Sequence, residues 1–229
     1  MSIQVAIHQP EHMPWLGFFS KMRRCDLFVI LDCVQFTKNN YQNRNRFLNR
    51  FGVTYWQTVP VKMKHHIRKE FREIGIASEV VRWQHKYLES LKINYRKSHF
   101  FPTYIELFEH IILHPWEKLM DLNMAIIACI RRIIGIDTDL ILASSLNATG
   151  RKSELLVDIC KKVGATSYIT GMGSHRYLDH RLFKNQKIDV IMHSFSQKLA
   201  LGDFPYENTS IVDILFRMGA KKIVPYVCA

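Results

Sequence analysis

The stretch IQVAIHQP, residues 3–10, decides the fold. Its apolar residues alternate with polar or small ones, which is the pattern of a β-strand. Pro10 and Pro14 then prevent the chain from continuing as a helix. The segment therefore predicts a strand that delivers His8 into a stiff loop.

Strands and helices alternate on both sides of a helical centre. GFFSKMRRC predicts a helix and LFVILDCV (27–34) a second strand, so the first unit is strand, loop, helix, strand. The same order returns in a strand at 139–143, a helix from Ser153 and the strand SYIT, while 78–95 and 103–134 show helical spacing. We predict an α/β fold: a mostly parallel Rossmann-like sheet with a helical middle section. We expect residues 1–229 to form a single domain, with a helical block at about 78–135 inserted between two α/β portions.

The composition indicates a cytoplasmic protein with a full core. No window approaches about 18 consecutive apolar residues, and Met1 runs directly into the first strand, so we expect neither membrane insertion nor a signal peptide. The five cysteines are widely spaced, without CxxC or a zinc-finger arrangement, and predict reduced, mostly buried thiols. We expect no metal site and no cofactor.

The positive charge is concentrated in one segment. The whole chain carries a formal charge of +12, and residues 37–72 hold nine basic residues against one acidic residue, a net +8. Such a basic segment favours an anionic partner, although it is also compatible with a solubility feature or with docking of an acidic protein.

Polar residues follow the first two predicted strands. In open α/β sheets, ligands bind beyond the carboxyl ends of the strands, and His8 lies at such an end, where it could act as a base or satisfy loop carbonyls. Asp32, Gln35 and Lys38 follow the second strand, where ribose and phosphate contacts occur; an Asp there is also an ordinary turn residue.

An Asn- and Arg-rich segment, QFTKNNYQNRNRF (35–47), lacks apolar periodicity and predicts an ordered functional loop before a hairpin around Thr54–Val61. Arg offers planar bidentate donors suited to phosphate or carboxylate. We predict anion binding here in preference to a solvated loop. The candidate residues are Asn43, Arg44, Asn45 and Arg46.

A second small-residue loop follows the strand SYIT. Its glycines would let backbone N–H groups approach a phosphate, although such turns are also common for backbone reasons alone. The candidate substrate contacts here are Gly171, Gly173, Ser174, His175 and Tyr177.

Several motifs in order resemble the WbqC-like protein family. They are HQPEHMPWLGFFSKM, LDCVQFTKNNYQNRNRF, TYWQTVPVK, YITGMGSHRYLD and SIVDILFRMG. The sequence departs from the family pattern at Thr170, where serine is frequent, and at His12, where an aromatic residue is common. The resemblance adds Gln9, Trp15 and Lys21 as substrate contacts and implies an enzyme of surface polysaccharide (O-antigen, lipopolysaccharide) sugar biosynthesis in a bacterium.

Three classes of function follow. The first is a transferase that moves an acyl or aminoacyl group, glycyl for example, to a nucleotide-linked amino sugar, with His8 as base and a donor that the sequence leaves open. An aminoacyl-tRNA donor would explain the surplus charge. The second is a non-catalytic RNA- or tRNA-binding module. The third is a scaffold of a polysaccharide biosynthesis complex. The sugar and the oligomeric state also stay open.

Overall fold

The computed structural model describes residues 2–62, 69–80, 82–175, 177–196 and 209–228, without the side chains of Ser174, His175 and Cys228. Within these ranges a five-stranded sheet forms from β1 (Gln4–His8), β2 (Leu27–Ile30), β5 (Asp139–Leu142), β6 (Ser167–Gly171) and β7 (Asp189–His193). A separate hairpin consists of β3 (Arg44–Leu48) and β4 (Thr54–Thr58). The helices are α1 (Leu16–Arg23), α2 (Trp83–Tyr95), α3 (Phe101–Leu113), α4 (Leu119–Ile134), α5 (Ser153–Lys162), α6 (Met172–His175), α7 (His180–Asn185), α8 (Ile211–Met218) and α9 (Ala220–Cys228).

The main sheet is parallel throughout, in the order β5-β2-β1-β6-β7. On one side of β1 the chain adds β2 and then β5 to this sheet. It then returns to the other side of β1 and adds β6 and β7. The order therefore reverses between β1 and β6, which is where doubly wound sheets bind ligands. The predicted α/β, Rossmann-like fold is confirmed.

The β1 to β2 connection explains how the chain delivers the loop after His8. Helix α1 buries its Leu16, Phe18, Phe19 and Met22 side chains against the sheet and carries Lys21 and Arg23 in its last turn, where cations suit the helix dipole. A buried aliphatic or aromatic side chain contributes about 1.5–3 kcal/mol. Packing of α1 thus fixes the returning strand beside β1.

Each face of the sheet has its own core. Ala6, Phe28 and Ile169 pack toward α1, the helical middle section and α8 and α9. Val5, Ile7 and Tyr168 pack on the opposite face against α5 and α7. Because side chains alternate along a strand, His8 shares the face of Ala6, and so lies on the side of the large core.

Three consecutive helices, α2 to α4, make up the helical middle section. Helix α4 buries Leu119, Leu122, Ile126 and Ile130 along one stripe and ends at Gly135, whose φ of 68° is the left-handed conformation favoured at helix ends. Helix α4 also packs on α9, and α3 on α8. The middle section therefore shares its core with the C-terminal helices.

The Asn- and Arg-rich segment corrects one prediction. It was expected to be a loop over 35–47, but Arg44–Leu48 forms β3, paired antiparallel with Thr54–Thr58. The prediction was wrong because the alternation in NRNRF places Asn45 and Phe47 inside and Arg44 and Arg46 outside. A half-buried strand of this kind carries its periodicity in polar as well as apolar residues.

None of the helices in the described ranges is long and apolar enough to cross a membrane. The side chains of Cys25, Cys33, Cys129 and Cys160 are free thiols, and Cys25 and Cys160 are buried. The thiols of Cys25, Cys33, Cys129 and Cys160 have pKa values raised by burial, so they are held in the unreactive protonated form.

Candidate functional site

A cavity of about 590 Å³ opens at the carboxyl ends of β1, β6 and β7. Its size lies in the range typical of small-molecule sites, and it lies at the reversal of strand order. Six residues predicted as site residues line it: His8, Gln9, Trp15, Lys21, Gly171 and Gly173. The structure thus brings together residues from two predicted motifs that are more than 140 residues apart in the sequence.

His8 presents a neutral imidazole to the cavity. Its Nδ1 lies 2.9 Å from the carbonyl oxygen of Gln9, and because a carbonyl only accepts, Nδ1 carries the proton and Nε2 is left as an acceptor. Burial lowers the pKa of His8 to about 3, and the nearby charge of Lys21 adds to this shift. The remaining 25% exposure of the side chain is consistent with its place in the cavity wall. Nε2 of His8 is therefore unprotonated at neutral pH.

Glu11 and Lys21 complete a cluster of ionisable groups beside His8. Glu11 Oε1 lies 3.8 Å from His8 Nε2. Burial raises the pKa of Glu11 to about 8, and Lys21 opposes this shift. Burial also lowers the pKa of Lys21 to about 8, and the carboxyl of Glu11 opposes this shift. Lys21 Nζ donates a hydrogen bond to the Ile7 carbonyl at 3.2 Å. The cavity consequently holds a carboxyl and an amine that titrate close to neutral pH.

A hydrogen-bonded chain fixes the loop that follows β1. Gln9 accepts from Gln42 Nε2 at 2.9 Å, and the Gln42 carbonyl accepts from Asn123 on α4 at 2.8 Å. Asn123 also accepts a hydrogen bond from His12 Nδ1. The other ring nitrogen of His12, Nε2, accepts a hydrogen bond from the Tyr87 hydroxyl at 2.8 Å. The helical middle section thus holds the loop that follows His8 and carries Gln9 and Glu11.

Trp15 forms part of the cavity wall because Gly17 lacks a side chain. A Cβ added to Gly17 would lie 2.3 Å from the Trp15 indole. The indole packs edge-on against Phe195, with ring centroids 5.8 Å apart. Gly17 is therefore required for the close approach of the Trp15 ring to the start of α1.

The outer face of the hairpin stacks two arginines on aromatic rings. The Arg44 guanidinium lies 4.1 Å and the Arg46 guanidinium 5.8 Å from the Trp56 ring centroid. Arg46 Nη2 donates to the Tyr41 hydroxyl at 2.9 Å, and Tyr41 also lines the cavity. In the part of the chain that the structure describes, neither guanidinium has a carboxylate within 4.0 Å. This surface offers anion donors and an exposed indole beside the cavity.

Asn43, Asn45 and Asp32 lie outside the cavity lining and hold the backbone. Asn43 donates to the Val59 carbonyl, and Asn45 donates to the carbonyls of His12 and Met13. The latter bond supports Met13, whose φ of 45° is unfavourable for a residue other than glycine. The Asp32 carboxylate accepts from the backbone N–H and hydroxyl of Ser144 at 2.9 and 2.6 Å.

The remaining predicted residues are spread out. Gln35 and Lys38 are exposed and do not line the cavity, and the Gln35 backbone bridges to Glu70. Tyr177 is 84% exposed, beyond the cavity. Ser174 and His175 belong to the short helix α6, whose first residue, Met172, lines the cavity; their side chains lie outside the described part of the chain. Within the basic segment, Lys64 and Arg68 also fall outside it.

Sequence reasoning missed Glu11, Gln42, His193 and Phe195, all of which line the cavity. A signal for His193 was present, because DVIMH ends in histidine just as QVAIH does. Glu11 lies three residues after His8 and could have been found from that spacing. Over the described ranges, no three His, Cys, Asp or Glu side chains are grouped so that they could hold a metal ion.

Two comparisons bear on this site. The model of the WbqC-like protein family matches residues 9–224. The uncharacterized protein Rv1507c of Mycobacterium tuberculosis is 30% identical over 223 residues, which cover 95% of each chain. No solved structure gives a significant match.

Proposed function

The chain belongs to the WbqC-like protein family, and from that premise we propose that it is a cytoplasmic group-transfer enzyme of surface polysaccharide biosynthesis. It transfers an acyl or aminoacyl group to the amine of a nucleotide-linked amino sugar. One observation carries the proposal: His8 presents an unprotonated Nε2 to a cavity at the point where strand order reverses.

The sugar binds in the cavity and the nucleotide on the hairpin face. Tyr41 connects the cavity to the hairpin face, because it lines the cavity and its hydroxyl accepts a hydrogen bond from Arg46 on the hairpin. Arg44 and Arg46 donate to the diphosphate. Trp56, which is 42% exposed, offers a ring on which a base can stack.

The chemistry is a proton-coupled acyl transfer. The sugar amine attacks the acyl carbon of the donor while His8 Nε2 takes the proton from the amine nitrogen. The bond to the leaving group then breaks, and the imidazolium returns the proton to that group. General base catalysis of this kind contributes about 10² to 10⁴ in rate.

Glu11 and Lys21 adjust the base and the field around it. Glu11 lies on the Nε2 side of His8. The imidazolium formed during attack favours the carboxylate form of Glu11 over the protonated form that burial favours, and that carboxylate stabilises the imidazolium in return. The Lys21 ammonium stabilises the negative charge that develops on the acyl oxygen. Both groups titrate near pH 8, so small changes at the site alter their charge.

Binding and turnover test the proposal separately. Isothermal titration with UDP-N-acetylglucosamine, dTDP-linked amino sugars and UDP identifies the nucleotide sugar. Mass spectrometry then follows transfer to a UDP-linked amino sugar from acetyl coenzyme A or glycyl-tRNA. We expect His8→Gln to bind the sugar nucleotide and to lose at least about 10²-fold in turnover. The matched control is His85→Gln, at an exposed position on α2. Equal turnover of wild type and His8→Gln would remove His8 from catalysis.

The hairpin face also favours a second candidate, a tRNA- or RNA-binding module. Residues 33–69 contain no acidic residue, and Arg44, Arg46 and Trp56 form an Arg-aromatic surface. Binding of tRNA whose log Kd rises steeply with log salt, together with unaltered binding by His8→Gln and no transfer from any donor, would favour this class. A scaffold would show no turnover and would tolerate alanine at every cavity position without loss of binding to its protein partners.

A further inference from the structure

Three residues of neighbouring strands lie in one row across the sheet. Ala6 is paired with Ile169, and continuing that register by two residues places His8 level with Gly171. Gly171 is in turn paired with His193 on β7. Since in-register residues of parallel strands share a face, both imidazoles and the position of the Gly171 hydrogen are on the cavity side. The backbone of β6 separates the two histidines, whose Cα atoms are about 10 Å apart.

Gly171 leaves the space between the two imidazoles open. Among the residues that the structure describes, a Cβ added there would meet no atom within 4 Å. Gly171, His8 and His193 all line the cavity. The centre of the row, at Gly171, therefore has no side chain, and one imidazole lies on either side of it. This open position, which is called the floor of the cavity below, leaves room for a group the size of a sugar ring.

His193 is a buried residue of the cavity wall. The residue is 6% exposed, and among the described residues neither Nδ1 nor Nε2 has a hydrogen-bond partner. Its ring stacks near Phe195, with centroids 6.2 Å apart. Burial, with Arg24 and Lys21 adding to it, lowers the pKa of His193 to about 4, so the ring is neutral at neutral pH. Buried polar atoms are nearly always hydrogen-bonded in folded proteins.

We infer that His193 is a second ligand-binding imidazole, which holds an uncharged hydroxyl or amide group of the sugar over Gly171, opposite His8. The inference rests on the proposed function for the identity of the sugar and goes beyond it in assigning the residue and the ligand group. A neutral imidazole has one donor and one acceptor nitrogen, and a hydroxyl or amide can pair with either of them because it both donates and accepts. A phosphate would satisfy only the donor, which is why the nucleotide belongs to the arginine face.

The stability of the ligand-free protein tests this without any substrate. Phenylalanine fills a similar volume with no polar atoms, so His193→Phe should raise the melting temperature by roughly 3–8 °C by removing two unsatisfied nitrogens. His12 provides the matched control, because it is equally buried and both of its nitrogens are hydrogen-bonded. We expect His12→Phe to lower the melting temperature. An unchanged or lowered value for His193→Phe would show that its imidazole stabilises the fold, and would overturn the inference.

Calorimetry with three probes tests the ligand group. UDP-N-acetylglucosamine and free N-acetylglucosamine should each bind His193→Phe at least about tenfold more weakly than wild type, whereas UDP should bind both equally. Gly171→Leu, which fills the space over the floor, should produce the same pattern. Equal affinity of wild type and His193→Phe for the sugar probes overturns the assignment. If wild type binds none of the three probes, the proposed function fails for this sugar, and the melting temperatures alone decide whether His193 awaits a ligand.

Discussion

The imidazole of His12 and the side-chain amide of Asn123 are joined by a buried hydrogen bond of 3.0 Å, although 111 residues separate them in the sequence. Asn123 lies inside α4, and His12 lies in the loop that follows His8. Asn123 also donates to the Gln42 carbonyl, and Gln42 contacts Gln9 in the cavity wall. The helical middle section therefore has a defined role in the site, because one of its polar side chains sets the position of two cavity segments.

Replacing Asn123 with alanine should destabilise the protein by roughly 3–5 kcal/mol. The change leaves the His12 Nδ1 proton and the Gln42 carbonyl buried without partners, and each unsatisfied buried group costs about 1–3 kcal/mol. Urea denaturation measures the loss. Asn185→Ala, at the exposed end of α7, is the control and should change stability by less than about 0.5 kcal/mol. A comparable loss for both variants would contradict the role given to Asn123.

Stability should fall as the pH is lowered, and His12 should account for part of the fall. Burial lowers the pKa of His12 from 6.5 to about 4. The unfolded state therefore binds a proton that the folded state excludes. The contribution is fully present above pH 6.5 and is lost as the pH falls from 6.5 to about 4, a change of roughly 3 kcal/mol.

Comparison with His12→Gln isolates this contribution. Glutamine can donate to Asn123 but does not titrate, so the difference in unfolding free energy between variant and wild type should shrink by roughly 3 kcal/mol between pH 7 and pH 4. Measuring the difference cancels the other groups, including Glu11, whose raised pKa acts in the opposite direction over this range. Parallel stability curves for the two proteins would rule out His12 as the source.

The site residues that could be predicted are those that follow the carboxyl ends of parallel strands, where ligands bind in open α/β sheets. The alternation in IQVAI located β1, and the loop chemistry after it located His8 at the cavity. Gly171 and Gly173 were predicted by the same reasoning at β6. These predictions concern local periodicity and the edge at which parallel strands end, both of which depend on short stretches of sequence.

Long-range contacts explain what could not be predicted. Asn45 and Asp32 have the residue types of ligand contacts, but Asn45 holds the carbonyls of His12 and Met13, and Asp32 holds Ser144. Whether an amide or carboxylate faces a ligand or a distant backbone group depends on the tertiary fold. For His193 the ending of DVIMH was a local signal, but the role of the residue depends on its pairing with Gly171, which is a long-range contact.

Gly17→Ala should disturb the Trp15 wall of the cavity. Alanine alone would favour the helix by about 1 kcal/mol, but its Cβ would lie 2.3 Å from the indole, so the ring must move. We expect a lower melting temperature and altered tryptophan fluorescence. Gly173→Ala is the matched control, because its Cβ meets no atom of the described residues within 4 Å. A stabilised Gly17→Ala protein with unaltered fluorescence would show that Trp15 does not depend on this contact.

The Arg44→Ala, Arg46→Ala double variant should lose nucleotide binding while keeping its melting temperature within a few degrees. The two guanidiniums stack on Trp56 and, within the described chain, have no carboxylate partner, so their removal breaks no ion pair there. Calorimetry with UDP-N-acetylglucosamine and UDP should show at least about tenfold weaker binding to the double variant. Lysine at both positions should not restore affinity, because it lacks the planar donors that bind phosphate and stack on the indole.

Arg50→Ala separates a specific site from a general charge effect. Arg50 lies at the turn of the same hairpin, with its guanidinium 4.7 Å from the centroid of the Phe51 ring. The Arg50→Ala substitution therefore removes one basic charge from the same segment. A long-range field would make binding respond to any lost charge and would disappear with added salt. Bidentate contacts depend on position, so Arg50→Ala should bind UDP within about twofold of wild type. If each single arginine variant, Arg50→Ala included, weakens binding equally, then Arg44 and Arg46 contribute only net charge, and the nucleotide must bind away from the hairpin face.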